Sequence, residues 1–193
     1  FHLALVEQAA AGLAGPLQAQ WLERLDRARE NILAAHAWSL RAPDACERSY
    51  RLVYAIRHYW FLRGLLELGH RVTVDTIANG SAAGADIPRS RALWVGGQLA
   101  AWMAHYREAR AYLDDSLAIA RAKGDQRMVA GILHILALAS IGEGDIVAAR
   151  GPLQLLPHPF QIGAALGRHH GEEVARQLLA LHDGFVAFHV VTE

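Results

Sequence analysis

Ala104-His105-Tyr106-Arg107-Glu108-Ala109-Arg110 is the stretch that decides the fold, because its pattern recurs 40 residues to either side. Tyr106 is matched at that interval by Leu66 and Ile146. Two residues before each stands a small residue (Gly64, Ala104, Gly144), and three residues after each stands another (Gly69, Ala109, Ala149). A helix–turn–helix unit repeated at fixed spacing predicts an all-α chain. The expected form is an α-solenoid of antiparallel helix pairs, in which each unit buries its apolar face only against its neighbours. Such arrays usually bind other molecules and rarely do chemistry.

Outward from this stretch, the punctuation divides the chain into helices. A first helix is expected from His2 to Ala11, ended by Gly12 and the break Gly15-Pro16. Trp21, Leu22, Leu25, Ala28, Ile32 and Leu33 recur at spacings of three and four, the buried stripe of a long helix to about Leu40. Asp44 suits the N-cap of the helix that follows. Tyr50–Arg63 is apolar over much of its circumference and reads as central. Its partner, Leu65 to Ala78, contains Val72-Thr73-Val74, which would also suit a strand. Asn79 to Asp86 reads as a helix C-cap and loop. Helices Pro88–Met103 and Tyr106–Lys123 form a second pair. Asp125 and Asp145 open the two helices of a third.

These boundaries give three units. Residues 1–49 form a helical segment leading from an upstream domain, 50–156 three helix-pair repeats, and 157–193 a degenerate repeat or C-terminal cap. Gly151-Pro152 and Pro157-His158-Pro159 restrict helix in the last part. Glu172–His182 is amphipathic, and Phe185–Val191 is apolar and β-prone.

The chain has 193 residues, 19 basic and 19 acidic, so no net charge marks it for nucleic acid. The lone cysteine, Cys46, excludes an internal disulfide and a cysteine metal cage. No apolar run is long enough to span a bilayer and no signal-peptide pattern opens the chain, so a cytoplasmic location is expected. The start at Phe1, inside an apolar segment, reads as a piece of a longer protein.

The turn at Tyr106, with Leu113, Leu117 and Ala118 after it, resembles the core of a tetratricopeptide repeat, and Gly144-Asp145-Ile146-Val147-Ala148-Ala149 is a second copy. The usual period there is about 34, so a spacing of 40 implies longer helices or loops. That longer form is similar to the repeat region of large bacterial regulators that couple a signalling ATPase to a DNA-binding or cyclase domain. Further stretches carry this likeness: Leu13-Ala14-Gly15-Pro16, Gln20-Trp21-Leu22-Glu23-Arg24-Leu25, Glu30-Asn31-Ile32-Leu33-Ala34-Ala35, Trp38-Ser39-Leu40 and Tyr59-Trp60-Phe61-Leu62-Arg63-Gly64. The resemblance covers residues 1–150 and implies a sensing or partner-binding region. The chain carries no G-x-x-x-x-G-K-[ST] motif, so the ATPase itself is not part of it.

Within such an array the inner helices place residues 40 apart on one face. Tyr54, Trp94 and His134 form one row, His58, Gln98 and Leu138 another, and Arg51 with Arg91 a third. The resemblance implies that these rows face a concave groove, where the aromatics supply contact area and the Arg and His residues charge-assisted hydrogen bonds. Packing between repeats is the competing role for Tyr54 and Trp94. Gly97, in Gly96-Gly97-Gln98, reads as a close-contact position in a helix and not as a phosphate loop. His169-His170-Gly171-Glu172-Glu173 lacks the i, i+4 histidine pair of a helical metal site, so no metal and no cofactor are expected. Cys46 has no base pattern to activate it. Asp114-Asp115 and Glu172-Glu173 read as solvated carboxylates.

The expected function is therefore a non-catalytic interaction and sensing module of a bacterial transcriptional or signalling regulator. Its partner would be a protein or peptide, including other domains of the same parent, with no direct nucleic-acid or membrane contact. A structural or dimerisation spacer is the alternative. A small helical enzyme with a site in the histidine-rich C-terminal third is a weaker one.

Overall fold

The computed structural model describes residues 2–41, 46–80 and 87–154, and these residues are helical with no strand among them. The helices are α1 (His2–Gly12), α2 (Gln18–Ser39), α3 (Cys46–Leu62), α4 (Leu66–Asn79), α5 (Ile87–Trp102), α6 (Tyr106–Ala122), α7 (Gln126–Gly142) and α8 (Ile146–Gln154). Asp44, residues 81–86 and everything expected of 157–193 lie outside the described residues. That includes His169-His170, Glu172–His182 and Phe185–Val191. Among the described residues no helix is long and apolar enough to cross a membrane.

One device ends four of these helices. Gly64, Ala104, Gly124 and Gly144 all take positive φ, between 60° and 80°. At each, a backbone N–H returns to the carbonyl three residues back and the next N–H to the carbonyl five back. Gly64 N bonds Phe61 O at 3.2 Å and Leu65 N bonds Trp60 O at 2.9 Å; Ala104 and His105 repeat the pattern on Ala101 and Ala100. This double closure satisfies carbonyls that a helix end otherwise leaves open. Residues 64, 104 and 144 are the small residues of the 40-residue pattern, so the sequence repeat is a repeat of turn geometry. Asp125 and Asp145 then cap the following helices, accepting from Met128 N at 3.0 Å and Ala148 N at 2.8 Å.

One local expectation is met and two need adjustment. Val72-Thr73-Val74, β-branched as it is, lies within α4, the helix expected from Leu65 to Ala78. There Val72, Thr73 and Thr76 are buried, and the threonine hydroxyls bond back to Gly69 O and Val72 O at 2.7 and 2.9 Å. Burial against α3 outweighs the modest helix penalty of β-branched residues. Helix α8 continues through Pro152, which lies inside it, where the sequence suggested restriction. Helix α3 begins at Cys46, earlier than the expected start near Tyr50, with Glu47 in its first turn where a negative charge is favourable. The boundary drawn between residues 49 and 50 therefore falls inside a helix.

Successive helices pack along the chain, and each odd-numbered helix also touches the next: α1 on α3, α3 on α5, α5 on α7. The core is continuous along this row. Leu5, Val6 and Ala9 of α1 share a cluster with Leu25 and Ile32 of α2, Ile56, Tyr59 and Trp60 of α3, and Val95 and Leu99 of α5. A second cluster joins Leu113 and Leu117 of α6 to Ile132, Leu133 and Leu136 of α7. Helices α1 and α2 are thus built into the same core as α3 and α5. Helices α5 and α6 come close at Gly97, where an added Cβ would stand 2.6 Å from Leu113 Cγ and 3.1 Å from Ala109 O. Ser90 and Ser116 fix the same helix pair by exchanging bonds: each hydroxyl donates to the other's carbonyl, at 3.0 and 2.7 Å.

Candidate functional site

The row of odd-numbered helices carries the candidate face. Tyr54 on α3 and Trp94 on α5 are both half-buried, with ring centroids 6.1 Å apart and planes tilted by 45°. Both pack against the two large core clusters. Helix α7 reaches the same place at Gly131, where an added Cβ would lie 3.8 Å from the Trp94 ring. The aromatic pair therefore serves as core on one side and as surface on the other.

Arginines cover that surface. The Arg57 guanidinium carbon lies 4.1 Å from the centroid of Tyr54 and 5.5 Å from that of Trp94, and Arg91 lies 5.1 Å from Tyr54. Cation–π attraction of this kind contributes about 0.5–1 kcal/mol at exposed sites and more when desolvated. Arg57 Nη1 also donates to Tyr54 O at 2.5 Å, which fixes the side chain against its own helix. Burial lowers the Arg57 pKa, and the positive charge of Arg91 adds to that, against an opposing contribution from Tyr54. A guanidinium remains charged under such a shift.

Four buried polar atoms on this face have no hydrogen-bond partner among the described residues: Arg57 Nε, Arg91 Nε, Trp94 Nε1 and Gln98 Oε1. Three are donors and one is an acceptor. Leaving a buried polar group unsatisfied costs about 1–3 kcal/mol, so their grouping on one face is chemically directed. It suits a ligand that brings an acceptor for the N–H groups and a donor for the Gln98 carbonyl.

The expected site residues are distributed unevenly. Tyr54, Arg91, Trp94 and Gln98 belong to the cluster just described. His58 is half-buried beside it, and burial, with the nearby Arg57 charge, lowers its pKa. Arg51 is engaged elsewhere: its Nη2 and Nε bond Glu7 Oε1 at 2.6 and 3.0 Å, tying α3 to α1. His134 on α7 lies exposed at the surface, and desolvation by the surrounding protein lowers its pKa. Arg57 is the central residue that the sequence rows omitted. Its 40-residue counterparts are Gly97 and Ala137, both buried, so the register assigned its position to packing.

The remaining readings are quickly placed. Gly96 and Gly97 are buried inside α5, and Asp114 and Asp115 are exposed on α6. Cys46 is a free, half-buried thiol at the start of α3. It lines a cavity of about 130 Å³ with Ser39, Ser49, Thr76 and Gly80. Beside that cavity Ser39 Oγ meets Ser49 Oγ at 2.8 Å, and buried His36 Nε2 meets Thr76 Oγ1 at 2.7 Å. The hydroxyls of Ser39, Ser49 and Thr76 in its wall are already hydrogen-bonded, which distinguishes it from the Tyr54–Trp94 face.

Family models, curated proteins and solved structures were all compared with this chain, and none matches it.

Proposed function

We propose that this chain is a non-catalytic interaction module, an α-solenoid of tetratricopeptide-like helix pairs that holds a protein or peptide segment across α3, α5 and α7. The observation that carries this reading is the set of unpartnered buried polar atoms of Arg57, Arg91, Trp94 and Gln98, clustered on half-buried aromatic rings. Trp, Tyr and Arg are the residue types that dominate binding energy at protein interfaces. The repeated turn at Gly64, Ala104 and Gly144 supports the repeat-array reading. The resemblance to the repeat regions of bacterial regulators supports a sensing role within a larger signalling or transcriptional protein, with another domain of that parent as one source of the segment.

The test is a peptide-array measurement with the whole chain. A defined subset of immobilised dodecapeptides is expected to retain the protein, and Arg91→Ala or Gln98→Ala is expected to release it. Trp38→Ala, at an exposed residue on α2, should leave retention unchanged. Retention that is indifferent to both face variants, with helicity intact by circular dichroism, would remove the face from consideration.

A further inference from the structure

Four of the described arginines are neutralised by a carboxylate. Arg29, Arg51, Arg63 and Arg110 pair with Glu30, Glu7, Asp26 and Glu143 respectively. Arg57 and Arg91 have no carboxylate within ion-pair distance among the described residues, and each holds a buried Nε–H without an acceptor. Two cations share one tyrosine ring with no counter-ion between them. The groups that face them are Tyr54, Trp94 and, on α3, His58, whose pKa is lowered and which is neutral near pH 7. Two like charges close together with no anion is an unfavourable arrangement that a bound anion would reverse.

Resting on the docking face proposed above, we infer that Arg57 and Arg91 form a carboxylate site, which receives an Asp or Glu side chain from within the partner segment. The chemistry of the four unpartnered atoms selects this ligand. A guanidinium lying over a ring directs its N–H bonds outward in its own plane, and a carboxylate meets such a fork with two coplanar oxygens. Trp94 Nε1 supplies a third donor. Gln98 Oε1 needs a donor in return, and the backbone N–H of a peptide provides one beside the same carboxylate. The face also continues past the site, toward Arg51 on one side and α7 on the other, so an internal acidic residue fits better than a chain end. The balanced charge of the whole chain, 19 basic against 19 acidic residues, argues for one or two carboxylates and against a polyanion.

The test uses the full chain and peptides retained on the array. Each is made N-acetylated and C-amidated, in two forms that differ only by Glu or Gln at one position. The Glu form is expected to bind roughly ten- to hundredfold more tightly, the range of a charge-assisted contact. Arg57→Gln and Arg91→Gln, made separately so that one folding failure does not decide the result, should each erase that preference. Equal binding of the two forms, or a preference that survives both variants, overturns the carboxylate site while leaving the docking face standing. Restoration of binding when the Gln peptide carries a free C-terminal carboxylate overturns the side-chain assignment. Sodium acetate titrated at constant ionic strength separates the two levels. If it saturably shifts the Arg57 and Arg91 Nε–H resonances while no peptide binds, the docking face fails, and the peptide origin of the anion fails with it.

Discussion

Tyr54 and Trp94 stand 40 positions apart in the chain and 6.1 Å apart in the fold, under a single guanidinium, that of Arg57. Because both rings also lean on the core, their mutual contact should register in folding. A double-mutant cycle with Tyr54→Leu and Trp94→Leu is expected to give a coupling of about 0.5–1.5 kcal/mol by urea denaturation. Strict additivity of the two losses would mean that the rings are merely adjacent.

Ala104 does at its turn what glycine does at the other three, with φ of 60°. A Cβ in the left-handed region costs about 1–2 kcal/mol, partly offset by the greater freedom glycine has when unfolded. Ala104→Gly should therefore stabilise the chain by about 0.5–1 kcal/mol. Gly124→Ala should destabilise it by a similar amount, through backbone strain alone, since nothing lies within 4 Å of the added Cβ. Chemical denaturation of the two variants reads both signs, and a destabilised Ala104→Gly would contradict the turn geometry.

Gly97 and Gly131 make an opposed pair. Alanine at Gly97 would push into Leu113 and the backbone at Ala109, an overpacking cost of about 1–3 kcal/mol. Alanine at Gly131 meets nothing closer than 3.8 Å and gains helix propensity, so stability should rise by up to about 1 kcal/mol. Comparison of the two melting temperatures checks the α5–α6 contact directly. Similar behaviour in both would mean that it is looser than described.

His36 should make stability depend on pH. It is 4% exposed, and burial lowers its pKa below 6.5. The Thr76 hydroxyl donates to Val72 O, so the His36 Nε2 facing it is the donor of that pair, as a neutral Nε2–H tautomer allows. As pH falls below the unfolded value of 6.5, the unfolded chain takes up a proton that the folded chain resists. More protons are then bound in the unfolded state, so stability rises with pH in this window and is lost as acid is added. His58, His70 and His134 are shifted in the same direction. The melting temperature should drop from pH 7 to pH 5.5, with a shallower slope in His36→Gln. An unchanged slope in that variant would remove His36 as a contributor.

Asp125 offers a simple local test. Its carboxylate accepts from Met128 N, and Asp125→Ala should cost about 1 kcal/mol. Asp125→Asn should recover most of it, because the carboxamide oxygen can make the same bond. Urea midpoints of the three proteins decide the matter.

The helices were legible in the sequence because glycine, proline and aspartate fall where backbone geometry demands them. Gly64, Gly124 and Gly144 announce left-handed turns, and Asp125 and Asp145 announce caps. Val72-Thr73-Val74 would suit a strand, yet it lies in the helix expected there, because intrinsic preference is small beside burial against α3. The candidate face was half legible. Tyr54, Arg91, Trp94 and Gln98 follow from helical spacing plus the 40-residue register. Arg57 was invisible to that logic, since alignment with Gly97 and Ala137 marks its position as interior, while its long side chain folds back over Tyr54 instead. Arg51 erred in the other direction. Its partner Glu7 lies 44 positions away on α1, a distance that no periodicity within the repeats encodes.

Helices α3, α6 and α7 each run 17 residues and α5 runs 16, lengths of about 24–26 Å at 1.5 Å per residue. Packed neighbours stand about 8–10 Å apart, axis to axis, so the path from α3 over α5 to α7 measures roughly 16–20 Å. An extended chain advances about 3.3 Å per residue and crosses that path in about five or six. For the docking face proposed above, that span matches a short linear motif of about five or six residues with one acidic side chain, and not the curved surface of a folded domain.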